Sequence, residues 1–188
     1  TTLFRSMVIL DLVVTYCATL KAKLRHGPVP VSRALDYQHL TTPCNALLQN
    51  IGQWLYLHRP NEFVYRNFND YLNQMSTIQG GCERISNTPI PYAYSLLLHR
   101  TVGIFCAVYP LLLIHDFGFM TLLFSIFTTY ALLALDAIAT ELEDPFGTED
   151  NDLPLNAICN AIEIDLKEMV KDSLVPTKMT PDANFRLL

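Results

Sequence analysis

The chain has 188 residues, of which 51% are hydrophobic and 16% are charged, and its formal net charge is −5 at pH 7. This composition is apolar for a soluble domain, yet too polar for a bundle that lies wholly within a membrane. The acidic balance argues against a nucleic-acid partner, which requires a basic surface. The five cysteines form no CxxC pair and are expected to stay reduced and buried, and no signal peptide is visible.

Five segments are expected along the chain. Residues 1–6 read TTLFRS, which is what a widely used sequencing adapter encodes in one frame, so we expect them to be a library artefact and the natural reading frame to extend upstream. A cytoplasmic helical region (7–88), a transmembrane hairpin (89–140), an acidic turn with an amphipathic cytoplasmic helix (141–172) and a tail (173–188) follow.

Three amphipathic helices are predicted before residue 88, because apolar residues recur there at three- and four-residue spacing. The first ends at Gly27-Pro28 and the second at His58. The third begins at Glu62 and is expected to be interrupted at Gly80-Gly81. Their apolar stripes are interpreted as core and comprise Val8, Ile9, Leu12, Val13, Tyr16, Leu20 and Leu24, then Leu47, Ile51, Trp54, Leu55 and Tyr56, and finally Tyr65, Phe68, Leu72, Met75 and Ile78.

Two long apolar runs follow. Residues 117–135 contain 19 consecutive residues without a charge, about the length that a helix needs to cross the hydrocarbon core. The other run covers residues 92–114, so only His115 and Asp116 separate the two. Because backbone groups in lipid must be hydrogen-bonded within their own segment, the runs predict two antiparallel transmembrane helices with a short loop at His115-Asp116. The alternative is a soluble protein with two buried core helices.

The predicted membrane helices contain three ionisable residues, His99 and Arg100 in the first and Asp136 in the second. An ionisable side chain is costly on a lipid face, so His99 and Arg100 are expected to point into a bundle, a water-filled path or another subunit. The alternative for Arg100 is that its long side chain reaches back to the interface. The short loop has no lysine or arginine, whereas both flanking segments do, which predicts that both termini are cytoplasmic.

Ile90 lies between Pro89 and Pro91, just before the first membrane helix. Each proline restricts the residue before it to extended backbone and removes a hydrogen-bond donor, and Pro91 suits the first turn of a helix. This proline corner is interpreted as holding the apolar Ile90 side chain in a fixed direction, as a constriction requires. A simple helix start is the alternative.

Residues 141–152 carry six carboxylates around a Pro-Phe-Gly turn. Their repulsion is relieved if cations or backbone amides approach, and hard cations such as Ca²⁺ take oxygen ligands of this kind. The spacing lacks the EF-hand pattern, and N-capping of the next helix by Asp152 is the alternative to metal binding. That helix is predicted from one apolar stripe, formed by Leu155, Ile158, Cys159, Ile162, Leu166, Met169 and Val170.

These motifs resemble the bestrophins, particularly their bacterial branch. The resemblance is carried by CERISNTPIPYAYSLLLHRT, by the apolar hairpin, and by ELEDPFGTEDNDLP with the amphipathic helix that follows. It implies an all-α membrane protein, an antiparallel transmembrane helix hairpin with a cytoplasmic helical bundle, assembled as a homopentamer around a pore. The family has four membrane helices per subunit, so this chain is expected to hold the third and fourth, with the first two preceding Met7.

The resemblance also implies site residues. An apolar ring at the cytoplasmic aperture would be formed by Ile90, within the proline corner of Pro89 and Pro91. Animal members bind calcium around the Pro-Phe-Gly turn, and the corresponding positions here are Glu141, Asp144, Glu149 and Asp152. Animal members carry amides at the first two of these positions, so a divalent cation at this turn stays an open expectation, and no other cofactor is expected.

The expected function is passive ion conduction by a bestrophin-like channel subunit in the bacterial inner membrane. Its partners would be further copies of the chain, the lipid bilayer and the permeant ions, with no nucleic acid. Animal members pass anions such as chloride, whereas bacterial members can favour cations, and both selectivities stay open. No nucleophile, base and orienting group occur together, so no catalytic role is assigned. The alternatives are a membrane-anchored interaction protein without ion flux and a metal-dependent membrane enzyme that uses the acidic turn.

Overall fold

The computed structural model describes residues 2–30, 39–59, 61–88, 90–183 and 187, with the backbone alone for residues 2–6. In this part of the chain every regular element is a helix: α1 (Thr2–Leu24), α2 (Pro43–His58), α3 (Glu62–Asn87), α4 (Tyr92–Phe117), α5 (Met120–Glu141) and α6 (Leu155–Met169). The predicted all-α class is therefore confirmed. The chain forms two compact units, a bundle unit (Thr1–Ser86 with Phe146–Leu188) and a hairpin unit (Asn87–Pro145).

The core of the bundle unit lies where α1 packs on α2, and α1 also packs on α6. Its buried cluster consists of Leu12, Tyr16, Cys44, Leu47 and Ile51, and Leu72 and Met75 of α3 pack against it. The apolar stripes predicted for α1 and α2 therefore supply the core, except that Tyr56 of the α2 stripe is 53% exposed. Burial of this apolar surface, worth about 25 cal/mol per Å², is the main contribution that holds the helices together.

Helix α3 differs from the prediction in two ways. It continues through Gly80 and Gly81, because a glycine lowers helix propensity by only about 1 kcal/mol and keeps its backbone hydrogen bonds. Phe68 and Ile78, which were expected in the core, are 47% and 64% exposed. A helical period predicts which residues share a face, but not how much of that face the neighbouring helices cover.

The end of α1 is closed by two backbone hydrogen bonds. The amide of Gly27 donates to the carbonyl of Ala22 at 2.8 Å, and the amide of His26 donates to the carbonyl of Lys23 at 3.2 Å. His26 adopts a φ of 51°, so this is a Schellman ending with histidine at the left-handed position. The helix stops where the sequence predicted, but His26 rather than glycine reverses the chain. Helix α6 ends in the same way, with Lys171 at a φ of 56°.

In the hairpin unit, α4 and α5 pack against each other and are joined by two residues, Gly118 and Phe119. The loop predicted at His115-Asp116 was wrong, because these residues complete the last turn of α4. The chain turns at Gly118 instead, with a φ of 52°, which glycine adopts without a steric clash. The hydroxyl of Thr121 donates to the carbonyl of Leu113 at 3.0 Å and ties the two helices together near this turn.

Helices α4 and α5 are both long and apolar enough to cross a membrane. Within their most apolar 18-residue windows, 0% of the residues of α4 and 6% of those of α5 are buried. The core helix of a soluble protein is covered by other protein, so this exposure disfavours the alternative of two core helices. Where the two helices touch, the buried residues are small and polar, Thr121 and Ser125, which allows close approach of the backbones.

Candidate functional site

Two of the three ionisable residues predicted in the membrane helices, His99 and Asp136, lie close together in the hairpin unit. His99 on α4 faces Asp136 on α5, with Nδ1 of His99 3.1 Å from Oδ1 of Asp136. This is an ion-pair distance, but the alignment is not that of a hydrogen bond, and Oδ1 of Asp136 is buried with no hydrogen-bond partner among the described residues. The side chain of Asp136 is only 16% exposed. A facing imidazole lowers the cost of a carboxylate in an apolar helix.

Arg100 follows His99 on α4 and is exposed. Among the described side chains, Asp136 forms its ion pair with His99 and not with Arg100. Arg100 lies nine residues into a helix that begins at Tyr92, so its flexible side chain can extend toward the nearer helix end. The expectation that Arg100 points into a bundle or a water-filled path stays a prediction.

Ile90 lies between α3 and α4, outside regular structure, and is 44% exposed. Pro91 is the N-cap of α4, with φ −53° and ψ 122°, and its carbonyl accepts a hydrogen bond from the amide of Tyr94 at 2.8 Å. These angles are near those of polyproline II, so Pro91 fixes an extended backbone directly before the helix. Pro89 lies outside the described residues. The role of Ile90 in an aperture stays a prediction.

The four carboxylates predicted as metal ligands are divided between the two units. Glu141 is the last residue of α5 and belongs to the hairpin unit with Asp144, whereas Glu149 and Asp152 belong to the bundle unit. Within the described ranges, no group of three His, Cys, Asp or Glu side chains is arranged to hold a metal ion. The divalent cation at this turn stays a prediction from the resemblance.

Asp152 caps a local turn and not helix α6. Its Oδ2 accepts a hydrogen bond from the amide of Glu149 at 2.6 Å, and its own amide donates to the carbonyl of Glu149 at 3.1 Å. Helix α6 begins at Leu155, with Pro154 as its N-cap and no side-chain capping bond. N-capping of α6 by Asp152 was therefore wrong, because this carboxylate is already used by the nearer amide.

The Pro-Phe-Gly turn is anchored in the bundle unit by Phe146 and Arg25. The Phe146 side chain is buried, at 5% exposure. Arg25, which directly follows α1, donates from Nε to the carbonyl of Phe146 at 3.3 Å and from Nη2 to the carbonyl of Leu153 at 3.4 Å. Arg25 also lies where the dipole of α1 favours a cation. Its partners lie 121 and 128 positions away in the chain, a separation that no local pattern reveals.

A polar network crosses the bundle unit from α1 to α3. The hydroxyl of Tyr16 donates to Oε1 of Gln79 at 3.3 Å, and Nε2 of Gln79 lies 2.8 Å from both Oδ1 of Asn45 and Oε1 of Glu83. Nζ of Lys23 also donates to Oε1 of Glu83, at 2.9 Å. Gln79 is 3% exposed, and a buried amide is stable there only because it is hydrogen-bonded. This network was not predicted from the sequence, because the prediction for α3 considered only its apolar residues.

Burial raises the pKa of several groups in the bundle unit. It raises the pKa of Cys17 and of Cys44 to about 11, and it also raises the pKa of Tyr16. For Glu83, burial alone would raise the pKa, but hydrogen bonds, led by that from Lys23, outweigh it and lower the pKa. Only Cys44 is buried, so the expectation that all five cysteines are buried is wrong for the other four, which are partly exposed. Thiols with a raised pKa are poor nucleophiles and metal ligands at neutral pH.

Relatives of known name match most of this chain. The family model for Bacterial/Fungal Bestrophin protein matches residues 5–168. The voltage-dependent anion channel-forming protein YneE of Salmonella typhi is 49% identical over 150 residues, which cover 78% of this chain and 49% of that protein. Its counterpart in Escherichia coli (strain K12) is 48% identical with the same coverage. The chain therefore spans about half the length of the curated relatives it matches.

The fold matches a solved structure as well. The crystal structure of a bacterial Bestrophin homolog from Klebsiella pneumoniae superposes with a TM-score of 0.83 at 35% identity, covering 90% of this chain and 68% of that one. The resemblance drawn from the proline corner, the apolar hairpin and the Pro-Phe-Gly turn is thus confirmed by a family match and by a shared fold. The chain belongs to the bestrophin family.

Proposed function

We propose that this chain is part of a subunit of an oligomeric channel that conducts anions passively across a membrane. The observation that carries the proposal is the exposed apolar hairpin of α4 and α5 in a chain of the bestrophin family. The names of the relatives, voltage-dependent anion channel-forming proteins, favour an anion such as chloride as the permeant ion. Because the chain spans about half the length of those relatives, conduction is proposed for the whole protein and not for these residues alone.

The proposal includes a homopentamer in the bacterial inner membrane with both termini in the cytoplasm. A single hairpin with both of its helices exposed cannot enclose an ion path, so several copies or further helices are needed to line one. The turn at Gly118 and Phe119 has no lysine or arginine near it, whereas Arg84 lies in the last turn of α3, shortly before α4 begins at Tyr92. This asymmetry supports a cytoplasmic bundle unit by the positive-inside rule. No catalytic role is proposed.

We further propose that Ile90 lines the cytoplasmic aperture, where a ring of apolar side chains would close the pore by dewetting. Ile90→Ala in the purified protein that carries this chain should raise conductance or change ion preference, with little change in the melting temperature. If Ile90 instead only packs at a helix start, its truncation should cost about 2–5 kcal/mol of stability and leave permeation unchanged. Single-channel recordings in parallel with thermal melts separate the two results.

Phe63→Ala is the matched comparison for Ile90→Ala. Phe63 is the second residue of α3 and is 72% exposed, so it is also a large apolar side chain presented at the start of a helix. Altered permeation in the Ile90 variant alone supports the proposed aperture. Altered permeation in the Phe63 variant alone would show that the apolar ring lies at the start of α3 and does not include Ile90.

A membrane-anchored interaction protein without ion flux is the second candidate function. It is favoured by Tyr71, Ile78 and Ile85 on α3, which are 64%, 64% and 56% exposed. These residues recur every seven positions and therefore share one face, which is typical of a helix that contacts another helix. Chloride efflux from liposomes separates the candidates: efflux supports the channel, whereas silence of folded protein together with a defined binding partner supports the interaction protein.

A further inference from the structure

The segment 147–152, here called the acidic loop, carries the carboxylates of Glu149, Asp150 and Asp152 within the bundle unit. The residues that bracket the loop are Phe146 and Leu153. The carbonyl oxygens of both bracketing residues accept hydrogen bonds from one group, the guanidinium of Arg25, at 3.3 and 3.4 Å. One cation therefore joins the two ends of the loop.

A divalent metal ion does not fit the described part of this loop. Ca²⁺ takes 6–8 oxygen ligands at about 2.3–2.6 Å, several of them carboxylates. Oδ2 of Asp152 is instead hydrogen-bonded to the amide of Glu149 at 2.6 Å, and no three acidic side chains converge among the described residues. A metal ion that used the two bracketing carbonyls would also have to displace the positive charge of Arg25.

We propose that Arg25 is the resident cation of the acidic loop and holds both loop ends against the end of α1 without a metal ion. A guanidinium presents its donors in a fixed fork, so the single side chain of Arg25 reaches the carbonyls at both ends of the loop. Arg25 also follows the last residue of α1, where the helix dipole favours a cation. The buried Phe146 side chain fixes one end of the loop beside this fork.

The acidic loop also has a high density of negative charge close to Arg25 in the chain fold. Three carboxylates lie within six residues, and two neighbours in the loop, Glu149 and Asp152, already exchange two hydrogen bonds across one turn. A fixed positive charge at the base of the loop attracts each carboxylate and offsets part of their mutual repulsion. The role assigned to Arg25 is positional and does not depend on the proposed ion conduction.

Hydrogen exchange of the amides in segment 146–153 tests the proposal in the purified protein that carries this chain. Arg25→Gln should accelerate exchange there by about threefold or more, because it removes the two hydrogen bonds that join the loop ends. The matched control is Arg66→Gln, which removes an exposed arginine from α3 and should leave these amides unchanged. Adding CaCl₂ in place of EGTA should change neither the exchange nor the melting temperature of the unsubstituted protein.

Two results would overturn the proposal. Exchange in segment 146–153 that is unaffected by Arg25→Gln would show that the loop is held by other contacts. Slower exchange or a higher melting temperature of the unsubstituted protein in calcium would show that a metal ion holds the loop with Arg25 in place. If Arg25→Gln does not fold, Arg25→Lys decides, because it keeps the charge but loses the fork: faster exchange of the same amides supports the proposal, and unchanged exchange contradicts it.

Discussion

Among single residues of the bundle unit, Glu83 shows most clearly how local contacts set the ionisation of a side chain. Its Oε1 accepts hydrogen bonds from Lys23 and from the buried Gln79, which connects the charge of Glu83 to both α1 and the core side of α3. Burial opposes ionisation, but these bonds outweigh it and lower the pKa of Glu83 below its ordinary value of 4.5. Folding is therefore linked to the charged form of this carboxyl.

The sign of that linkage gives a prediction for pH. A carboxyl whose pKa is lower in the folded state stabilises the fold fully above its ordinary pKa, and this contribution is lost as pH falls through the folded value. We expect Glu83→Gln to lower the melting temperature most above about pH 5 and progressively less in more acidic buffer. Glu168→Gln, an exposed position on α6, is the control. An effect of Glu83→Gln that is constant from neutral to strongly acidic pH would refute the linkage.

The backbone conformation of His26 gives a second prediction for a single residue. Its φ of 51° places a side chain in the left-handed region, which costs a non-glycine residue about 1–2 kcal/mol. His26→Gly should therefore raise the free energy of unfolding by roughly 1 kcal/mol, measured by thermal or denaturant melts. Arg66→Gly, within α3, is the opposing control and should lower stability by about as much. Destabilisation by His26→Gly would mean that the imidazole makes a contact that outweighs the strain.

Among the secondary-structure elements, the α4–α5 hairpin is joined by polar contacts near its turn and between His99 and Asp136. His99 and Asp136 face each other at 3.1 Å, and the Asp136 side chain is largely buried. His99→Leu should destabilise the hairpin by about 1–3 kcal/mol, because it leaves a buried carboxylate unpaired. The double variant His99→Leu/Asp136→Leu should be more stable than the sum of the single losses predicts. Strictly additive losses in thermal melts would indicate that the two side chains are not coupled.

The elements that could be predicted from the sequence are those whose signals are local. The apolar period of α1 and α2 and the stop after Leu24 depend on neighbours within a few residues, and the structure reproduces them. The hairpin turn was placed too early because charge was read as a loop signal. His115 and Asp116 end a helix comfortably, and Gly118 supplies the left-handed backbone.

The candidate site was less predictable because its contacts are tertiary. His99 and Asp136 were singled out by their cost in an apolar helix, but their pairing depends on the register that the Gly118 turn gives to α4 and α5. The contact between Arg25 and Phe146 requires α1 to pack beside the segment that precedes α6, which no residue spacing encodes. Interactions of this kind follow from packing and not from sequence period.

For the whole molecule, we make a prediction about residues 1–188 alone. It follows from the exposure of the hairpin and from the partial coverage of the relatives. The apolar windows of α4 and α5 are almost entirely unburied, and the chain matches 49% of the first relatives' length. We expect no ion-selective conductance when these residues alone are purified and reconstituted in liposomes, because the match covers only about half of the channel-forming relatives and leaves the apolar faces of the hairpin uncovered. Robust, selective currents from this polypeptide would contradict that expectation.

A reversal potential decides whether the protein that carries this chain is the proposed anion channel. The purified, folded protein is reconstituted in planar bilayers across a KCl gradient, with protein-free bilayers as the control. We predict currents that reverse near the chloride equilibrium potential. Reversal near the potassium equilibrium potential would show that the channel conducts potassium and not chloride. The absence of any current from folded, membrane-inserted protein would contradict ion conduction itself.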